Sequence, residues 1–323
     1  MRGCARPRLQ NDAMLQRGRR LLSTMPVSPL AAYRASTESA KLCTAYTHAF
    51  QLSPGEDRSS AHDFRQRCRT GDFDGQTSGV VPGFVQANFV ALPLEHAFDF
   101  LTFCLRNPRA CPLLDVTMPG DPCPRTVAPK ADLRTDLPKY RVWRHGEVTE
   151  EVTNLMRADL WGETTVGFLL GCSFSWESLL AEHGLTPRQI EEGRNVPMYR
   201  TSLRNAAVGP FAGDLVVSMR PYLPAQIARV AELTARYPGA HGGPIHWGSP
   251  AALGLSPEQV IAGEPDWGES VSVRDGEEPV FWACGVTPQA ALLEARLPLA
   301  VTHAPGHMLV CDLLDHELQV ARG

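Results

Sequence analysis

Apolar positions along this chain fall into short runs and helical stripes separated by Gly- and Pro-rich turns. The segment SSAHDFRQRCRTGDFDG predicts a short helix with a Ser cap, ending in a Gly/Asp loop. FVQANFVALP, bounded by Pro82 and Pro93, predicts a strand. LEHAFDFLTFCLRNP sets Ala97, Phe100, Leu101 and Cys104 at helical spacing, and Asn107-Pro108 stops it. KYRVWRHGEVTEEV alternates and turns at His145-Gly146, the pattern of a hairpin. TTVGFLLG is a hydrophobic run that leads through Cys172 into a helix. Ser173 or Ser175 can cap that helix, Glu177 suits its positive end and Gly184 closes it. Thr186-Pro187 opens another short helix, and NVPMYRTS and GDLVVSMRPYLP read as strands. AQIARVAELTARYPG is the clearest amphipathic helix, with Ile227, Val230, Ala231 and Leu233 on one face. ESVSVRDGEEPVFWACG predicts a hairpin with an Asp-Gly turn. Thr287 and Pro288 then form the cap and first turn of QAALLEARLP.

The elements alternate unevenly, and several neighbouring strands look antiparallel. The expected fold is mixed α/β: a two-part architecture of an α/β and an α+β portion with mixed sheets, not a regular doubly wound sheet. A chain of 323 residues, 43% hydrophobic, is long enough for two parts. We divide it into an N-terminal tail, 1–59, and a module, 60–323, of two intertwined subdomains. The first forty residues are rich in Arg and Ser, with Asp12 and Glu38 as the acidic exceptions. That composition predicts a mitochondrial transit peptide; the alternatives are a disordered tail, or an upstream extension with the true start at Met25, and a cytoplasmic protein.

The formal net charge of −4 provides no long-range field toward nucleic acid or anionic lipid, and no apolar run approaches a membrane span. Nine scattered cysteines suit a reduced compartment, with most thiols acting as small core residues. There is no G-x-G-x-x-G after a strand, no P-loop, no H-E-x-x-H and no G-x-S-x-G. Nucleotide cofactors and the familiar hydrolase classes are therefore not expected. We expect no cofactor and no metal centre, and the composition leaves self-association open.

Candidate chemistry gathers at strand ends. Cys172 and Cys284 each end an apolar run just before a predicted helix start, where free N–H groups hold anions and favour a thiolate. The bland alternative is a small residue in a tight corner. His303 and His307 flank Ala-Pro-Gly, so a turn rather than a helix brings the two rings together. His246 sits in a Gly/Pro loop, with His241 upstream; an imidazole titrates near neutrality and suits acid/base work. Arg220 ends an apolar strand before Pro221 and demands an anion: either a protein carboxylate or a substrate carboxylate held in a bidentate clamp. Arg200, Tyr199, Asn88 and Thr287 are plausible orienters of a polar ligand. Phe281 and Trp282 read as core, and the Arg and Lys residues of the hairpin around Tyr140 to Arg144, Lys139 included, as a solvated face.

The strings TSGVVPGFVQANFVALP, FLLGCSFSWESLL, VPMYRTS, LVVSMRPYLP, PIHWGSPAALGL, GEEPVFWACGVTPQAAL and THAPGHMLVCDL occur in order. Together they resemble the hydro-lyase family also called the D-glutamate cyclase family, from about Phe64 to about Leu314. The resemblance implies a two-part α/β fold and a carbon–oxygen lyase. It departs from the family pattern at Ser249, where Asp is usual. Animal D-glutamate cyclases carry a further C-terminal region after this module, whereas the sequence here stops at Gly323. The leading expectation is a hydro-lyase acting on a small carboxylic or amino acid, with interconversion of D-glutamate and 5-oxoproline as one form of it. Arg220 and the two helix starts would bind the carboxylate, and His303, His307 or His246 would move the protons. The rival readings are a non-catalytic carboxylate-binding protein, and an amide hydrolase with Cys172 or Cys284 as nucleophile.

Overall fold

The computed structural model describes residues 52–320, which lie in two antiparallel sheets with helices packed against them. The N-terminal composition that predicts a transit peptide lies outside the described residues. In chain order the elements are α1 (Ser59–Thr70), β1 (Phe84–Pro93), α2 (Leu94–Arg106), β2 (Leu113–Val116), β3 (Tyr140–Arg144), β4 (Glu147–Val152) and β5 (Thr165–Gly171). A 3-10 turn (Ser173–Trp176) leads into α3 (Glu177–Glu182), followed by α4 (Arg188–Glu191), β6 (Met198–Arg204), β7 (Asp214–Tyr222) and α5 (Pro224–Thr234). The chain continues through β8 (His246–Trp247), α6 (Pro257–Ala262), β9 (Glu278–Ala283), α7 (Thr287–Ala295), β10 (Ala300–His303) and β11 (Leu309–Leu314).

The larger sheet runs β2-β5-β1-β10-β3-β4, with β11 also paired to β1; the smaller runs β6-β7-β9-β8. Each ladder is antiparallel. This is the mixed α/β, two-part class that the uneven alternation of elements predicts. The strands flanking α7 do not form one βαβ unit: β9 belongs to the smaller sheet and β10 to the larger. The helix therefore carries the chain from one sheet to the other, which brings the Cys284 corner and the His303 turn into one neighbourhood.

The two-residue period of β1 sorts its side chains. Val85, Ala87, Phe89 and Ala91 enter one core cluster with Ile227, Val230 and Leu233 of α5 and with Trp282. Val90 and Leu92, on the opposite face, join a second cluster with α2 and with Tyr199, Val217, Met219 and Phe281 of the smaller sheet. Gln86 and Asn88 share that second face and are buried polar residues. Phe281 and Trp282 are core, as their setting suggests. No helix among the described residues is long and apolar enough to cross a membrane.

Local chemistry departs from expectation at three caps and one hairpin. The N-cap of α1 is Arg58, and the Ser59 N–H is taken by the Asp57 carboxylate at 2.9 Å. Neither Ser173 nor Ser175 caps the helix after Cys172, because Ser175 Oγ bridges the Gln86 main chain of β1 instead. Thr287 is the first helical residue of α7 rather than its cap, with its hydroxyl turned to the Val216 main chain. Residues 270–274 do not pair with β9. Glu192 takes the Ser272 N–H, and Arg188 and Arg194 hold the carbonyls of Ser272 and Ser270, so the segment is a pinned loop. The ladder edges of β9 go to β7 and β8. The β3–β4 hairpin forms as predicted: His145 and Gly146 take φ of 52° and 84°, the doubly left-handed turn that matches strand twist. A Cβ on Gly146 would stand 2.5 Å from the Leu293 carbonyl oxygen, so glycine is required twice over.

Candidate active site

The His303–Met308 turn is the centre of the site. β1 offers one edge to β5 and shares the other between β10 and β11, which meet it at Val90–Ala91 and Phe84–Ala87 respectively. In the gap between them stands Phe89, and the His303 ring fills it: Nδ1 lies 3.1 Å from the Phe89 nitrogen and 3.2 Å from its oxygen. The imidazole thus replaces a missing main-chain partner. His303 is fully buried, and burial pushes its pKa down to about 4. Its Nε2 has no partner. Gln289 of α7 donates to the His303 carbonyl at 3.1 Å.

From His303 the chain turns through Ala304, Pro305 and Gly306, the last at φ 85°. Ala304 donates to the Lys139 carbonyl at 2.9 Å, and Thr77 donates to the Gly306 carbonyl at 2.8 Å from its main chain. The Thr77 hydroxyl accepts the Met308 N–H. The turn is therefore held by the segments around Lys139 and Thr77, and it presents His307 half-buried at its outer face.

Here a cavity of about 360 Å³ opens, lined by Lys139, Arg141, Glu151, Asn195, Asp266, Trp267, Glu269 and His307 among others. His307 Nδ1 lies 3.0 Å from the Pro305 carbonyl oxygen. A carbonyl can only accept, so Nδ1 carries the proton and Nε2 keeps its lone pair in the neutral ring. Burial lowers the His307 pKa; the Pro305 contact opposes this, and the Lys139 charge adds to it. Arg141 is paired with Glu151 at 2.8 Å. No ion pair of Lys139 is found among the described residues, so its ammonium is one cation open to a ligand.

Cys172, Cys284 and Met308 share one small apolar cluster with Val196, Met198 and Trp267. The two corners and the His turn do converge, and the thiols lie beneath the cavity wall. The cysteine chemistry expected of them finds no support in their surroundings. Burial raises the Cys172 thiol and pushes Cys284 up to about 11, against the N–H groups of Phe174 and Val286 and the Arg220 charge.

Of the two anions the sequence allowed for Arg220, the structure supplies the protein carboxylate: the guanidinium is half of a buried ion pair. It is fully buried, donates to Glu177 Oε1 at 2.9 Å and to Ser173 and Ser218 hydroxyls, and lies over the rings of Trp176 and Trp282 at 4.5 and 5.5 Å. Burial raises the Glu177 pKa; Arg220, Ser78 and Gln189 oppose it. Asn88 is likewise spent on the fold, donating to the Gly171 carbonyl at 2.8 Å, and Thr287 is closed on Val216. His246 lies apart on β8, at the edge of the smaller sheet opposite β6. Its Nε2 donates to the Ser249 carbonyl at 2.7 Å and its ring stacks on Phe281. Arg200 is exposed and covers the Trp267 ring at 5.4 Å, which places it at the rim of the cavity. Tyr199 is buried beneath it; burial pushes its pKa up to about 12, helped by Asp266.

Two buried imidazoles give the fold a pH signature. His241 is held like His303, with Nδ1 2.7 Å from the Arg109 carbonyl oxygen, and its pKa is also pushed down to about 4, mainly by burial. In the unfolded chain both titrate near their ordinary value of about 6.5. The unfolded state then binds more protons, so stability is complete above that pH and falls as pH drops toward 4. The upper bound is roughly 3 kcal/mol for each ring. Urea unfolding between pH 7.5 and 4.5 should show this slope, and His303→Asn or His241→Asn should each reduce it by up to one proton. Equal slopes in all three proteins would mean that the rings are not held neutral.

The D-glutamate cyclase family matches residues 166–312, which include the His turn, both cysteine corners and Asn195. A Rubrobacter xylanophilus protein named "Putative hydro-lyase" is 54% identical over 260 residues, 80% of this chain and 98% of that one. "Putative hydro-lyase YcsI" of Bacillus subtilis is 50% identical, covering 80% and 98%. A protein of the same description from Stutzerimonas stutzeri is 49% identical, covering 79% and 94%. Among solved structures, a nitrogen repressor-like protein, MJ0159 of Methanococcus jannaschii, overlaps at a TM-score of 0.32 and 9% identity, covering 74% of this chain and 90% of that one. Likeness at that level says nothing about function. With half of its residues shared across nearly the whole length of these relatives, the chain belongs to the hydro-lyase family that carries the D-glutamate cyclase domain.

Proposed function

We propose that the protein removes water from a small carboxylic or amino acid bound in the cavity beside the His303–Met308 turn. One observation carries this reading: an imidazole with its tautomer already set shares an open cavity of metabolite size with a lysine that forms no ion pair among the described residues. Lys139 holds the carboxylate. His307 Nε2 takes the proton from the carbon next to it, the C–H electrons form the double bond, and the C–O bond to the hydroxyl breaks. The proton on His307 leaves with that hydroxyl as water, so the ring returns to its starting state. With D-glutamate, the base instead takes an ammonium proton, the nitrogen attacks the side-chain carboxyl carbon, and water departs to leave 5-oxoproline. Both versions use the same cation and the same base.

The cysteine-hydrolase reading loses its footing in the raised thiols. The relatives reported above are bacterial, which weighs against the mitochondrial placement and leaves the cytoplasmic one. The test is direct assay of the purified protein with D-glutamate, 5-oxoproline and a panel of 2- and 3-hydroxy acids. Lactam or alkene formation is followed by NMR. At least one compound should turn over, and Lys139→Met should raise its KM about 10- to 100-fold, the worth of one charge-assisted contact. Thermal stabilisation by carboxylates without any turnover would favour the non-catalytic binder.

A further inference from the structure

The charges that line the cavity fall on two sides of the His303–Met308 turn. Lys139 adjoins the first half of the turn, where its carbonyl accepts the Ala304 N–H at 2.9 Å. Asp266 and Glu269 lie on a loop that reaches the second half through Asn195. A Cβ on Gly306 would stand 2.7 Å from Asn195 Nδ2, and the Asn195 N–H donates to Glu269 Oε2 at 2.8 Å. The loop is itself pinned to β6: the Met198 carbonyl accepts the N–H groups of Asp266 and Trp267 at 2.9 and 3.2 Å, and the Met198 N–H donates back to Trp267 at 2.9 Å. It is therefore a fixed part of the wall.

Three carboxylates, Glu151, Asp266 and Glu269, face two cations, Lys139 and Arg141, across this lining. Arg141 and Glu151 neutralise each other. That leaves Lys139 on one side and two exposed carboxylates on the other, with no ion pair joining them among the described residues. Asp266 Oδ2 accepts the Arg200 N–H, and Glu269 Oε2 is shared between Asn195 and, at 3.4 Å, Gln76. A ligand that is only an anion gains at Lys139 and is repelled from the far wall. A ligand that carries both signs gains at both. We infer that the site selects a zwitterionic amino acid over the corresponding hydroxy acid, with Glu269 as the specificity-determining residue that receives the ammonium while Lys139 holds the carboxylate. This rests on the reading of the cavity as a carboxylate site. A hydroxy amino acid losing water to an alkene and a glutamate closing to a lactam both meet the demand, whereas a simple hydroxy acid does not.

Calorimetry on the full chain compares matched pairs: serine with glycerate, aspartate with malate, and glutamate with 2-hydroxyglutarate, each as both enantiomers. In every pair that binds, the amino acid should bind roughly tenfold or more tighter, the worth of one hydrogen bond between charged groups. Glu269→Gln keeps an acceptor for the Asn195 N–H, so Tm should hold. It should bring the two members of each pair within about twofold of one another, chiefly by weakening the amino acid. Lys139→Met should weaken both members alike and leave their ratio in place. A residue that only shaped the wall would also act on both members alike, so the ratio is the readout for Glu269. A wild type that binds the hydroxy acid as tightly as the amino acid, or a preference that survives Glu269→Gln, overturns the inference and leaves the carboxylate reading standing. If none of the acids binds the wild type, the carboxylate reading falls and this one with it.

Discussion

Arg220→Met is expected to cost about 3–5 kcal/mol of folding stability, enough to leave a typical domain marginal. The loss comes less from the methylene stem, which Met replaces, than from the carboxylate left behind. Glu177 is 2% exposed, and without Arg220 it keeps only the Ser78 hydroxyl and the Gln189 amide as donors. The guanidinium opposes the burial-raised pKa both by its charge and by its hydrogen bond, and both are lost with it, so that pKa rises further. A carboxyl whose folded pKa lies above its unfolded value favours the folded state at low pH, and that gain is lost as pH rises through the folded pKa. The deficit of the variant relative to wild type should therefore be smallest near pH 5 and largest near pH 8. Urea midpoints of both proteins at the two pH values measure it. Glu177→Gln alone strands a buried cation and should also destabilise. The double variant Arg220→Met/Glu177→Gln should recover part of the loss, because pairing rather than charge as such is what the core requires. A deficit independent of pH would show that Glu177 is not the group left uncompensated.

The same pair shows where sequence reading reaches its limit. Arg220 before Pro221 was legible as a cation in need of an anion, and the pattern could not decide which one. The deciding residue, Glu177, reads locally as a carboxylate suited to a helix start, and only the packing of α3 against the end of β7 turns it inward. Periodicity was informative where one face alone matters: β1, α2, α5 and the His145-Gly146 hairpin stand where alternation and turn chemistry put them. Caps were less legible. Ser175 and Thr287 each have a distant main-chain partner in β1 or β7 that competes with the local N–H. The cavity was mostly hidden. Lys139 and Arg141 read as a solvated face, because nothing local reveals that β3 pairs with β10 with Tyr140 opposite His303. Asn195, Asp266 and Glu269 come from loops whose approach depends on the Met198–Trp267 bridge. A lone Lys beside an alternating hairpin was the only signal available, and it does not distinguish a binding cation from a solubilising one.

His307→Gln should lower kcat by roughly 10²- to 10⁴-fold on any substrate the wild type turns over, the usual worth of a positioned acid/base. Glutamine keeps a polar group of similar reach but cannot take a proton, and the ring is half-exposed, so stability should change little. The pH profile carries the finer test. The base works only when neutral, and kcat/KM is lost as pH falls through the free-enzyme pKa. Because burial and Lys139 hold that pKa down, the acid limb should lie below the ordinary imidazole value of about 6.5. Lys139→Gln removes a nearby cation and should move the limb up, separately from its effect on KM. Glu151→Gln removes an anion that favours the imidazolium and should move it down. A structural residue could lower kcat when altered, but neutral changes at two neighbours would not then displace the acid limb in opposite directions. Should His307→Gln retain kcat, or should both neighbouring variants leave the limb in place, the base lies elsewhere. His303 would remain excluded from direct contact by its position in the gap of the sheet, where its Nδ1 already serves Phe89.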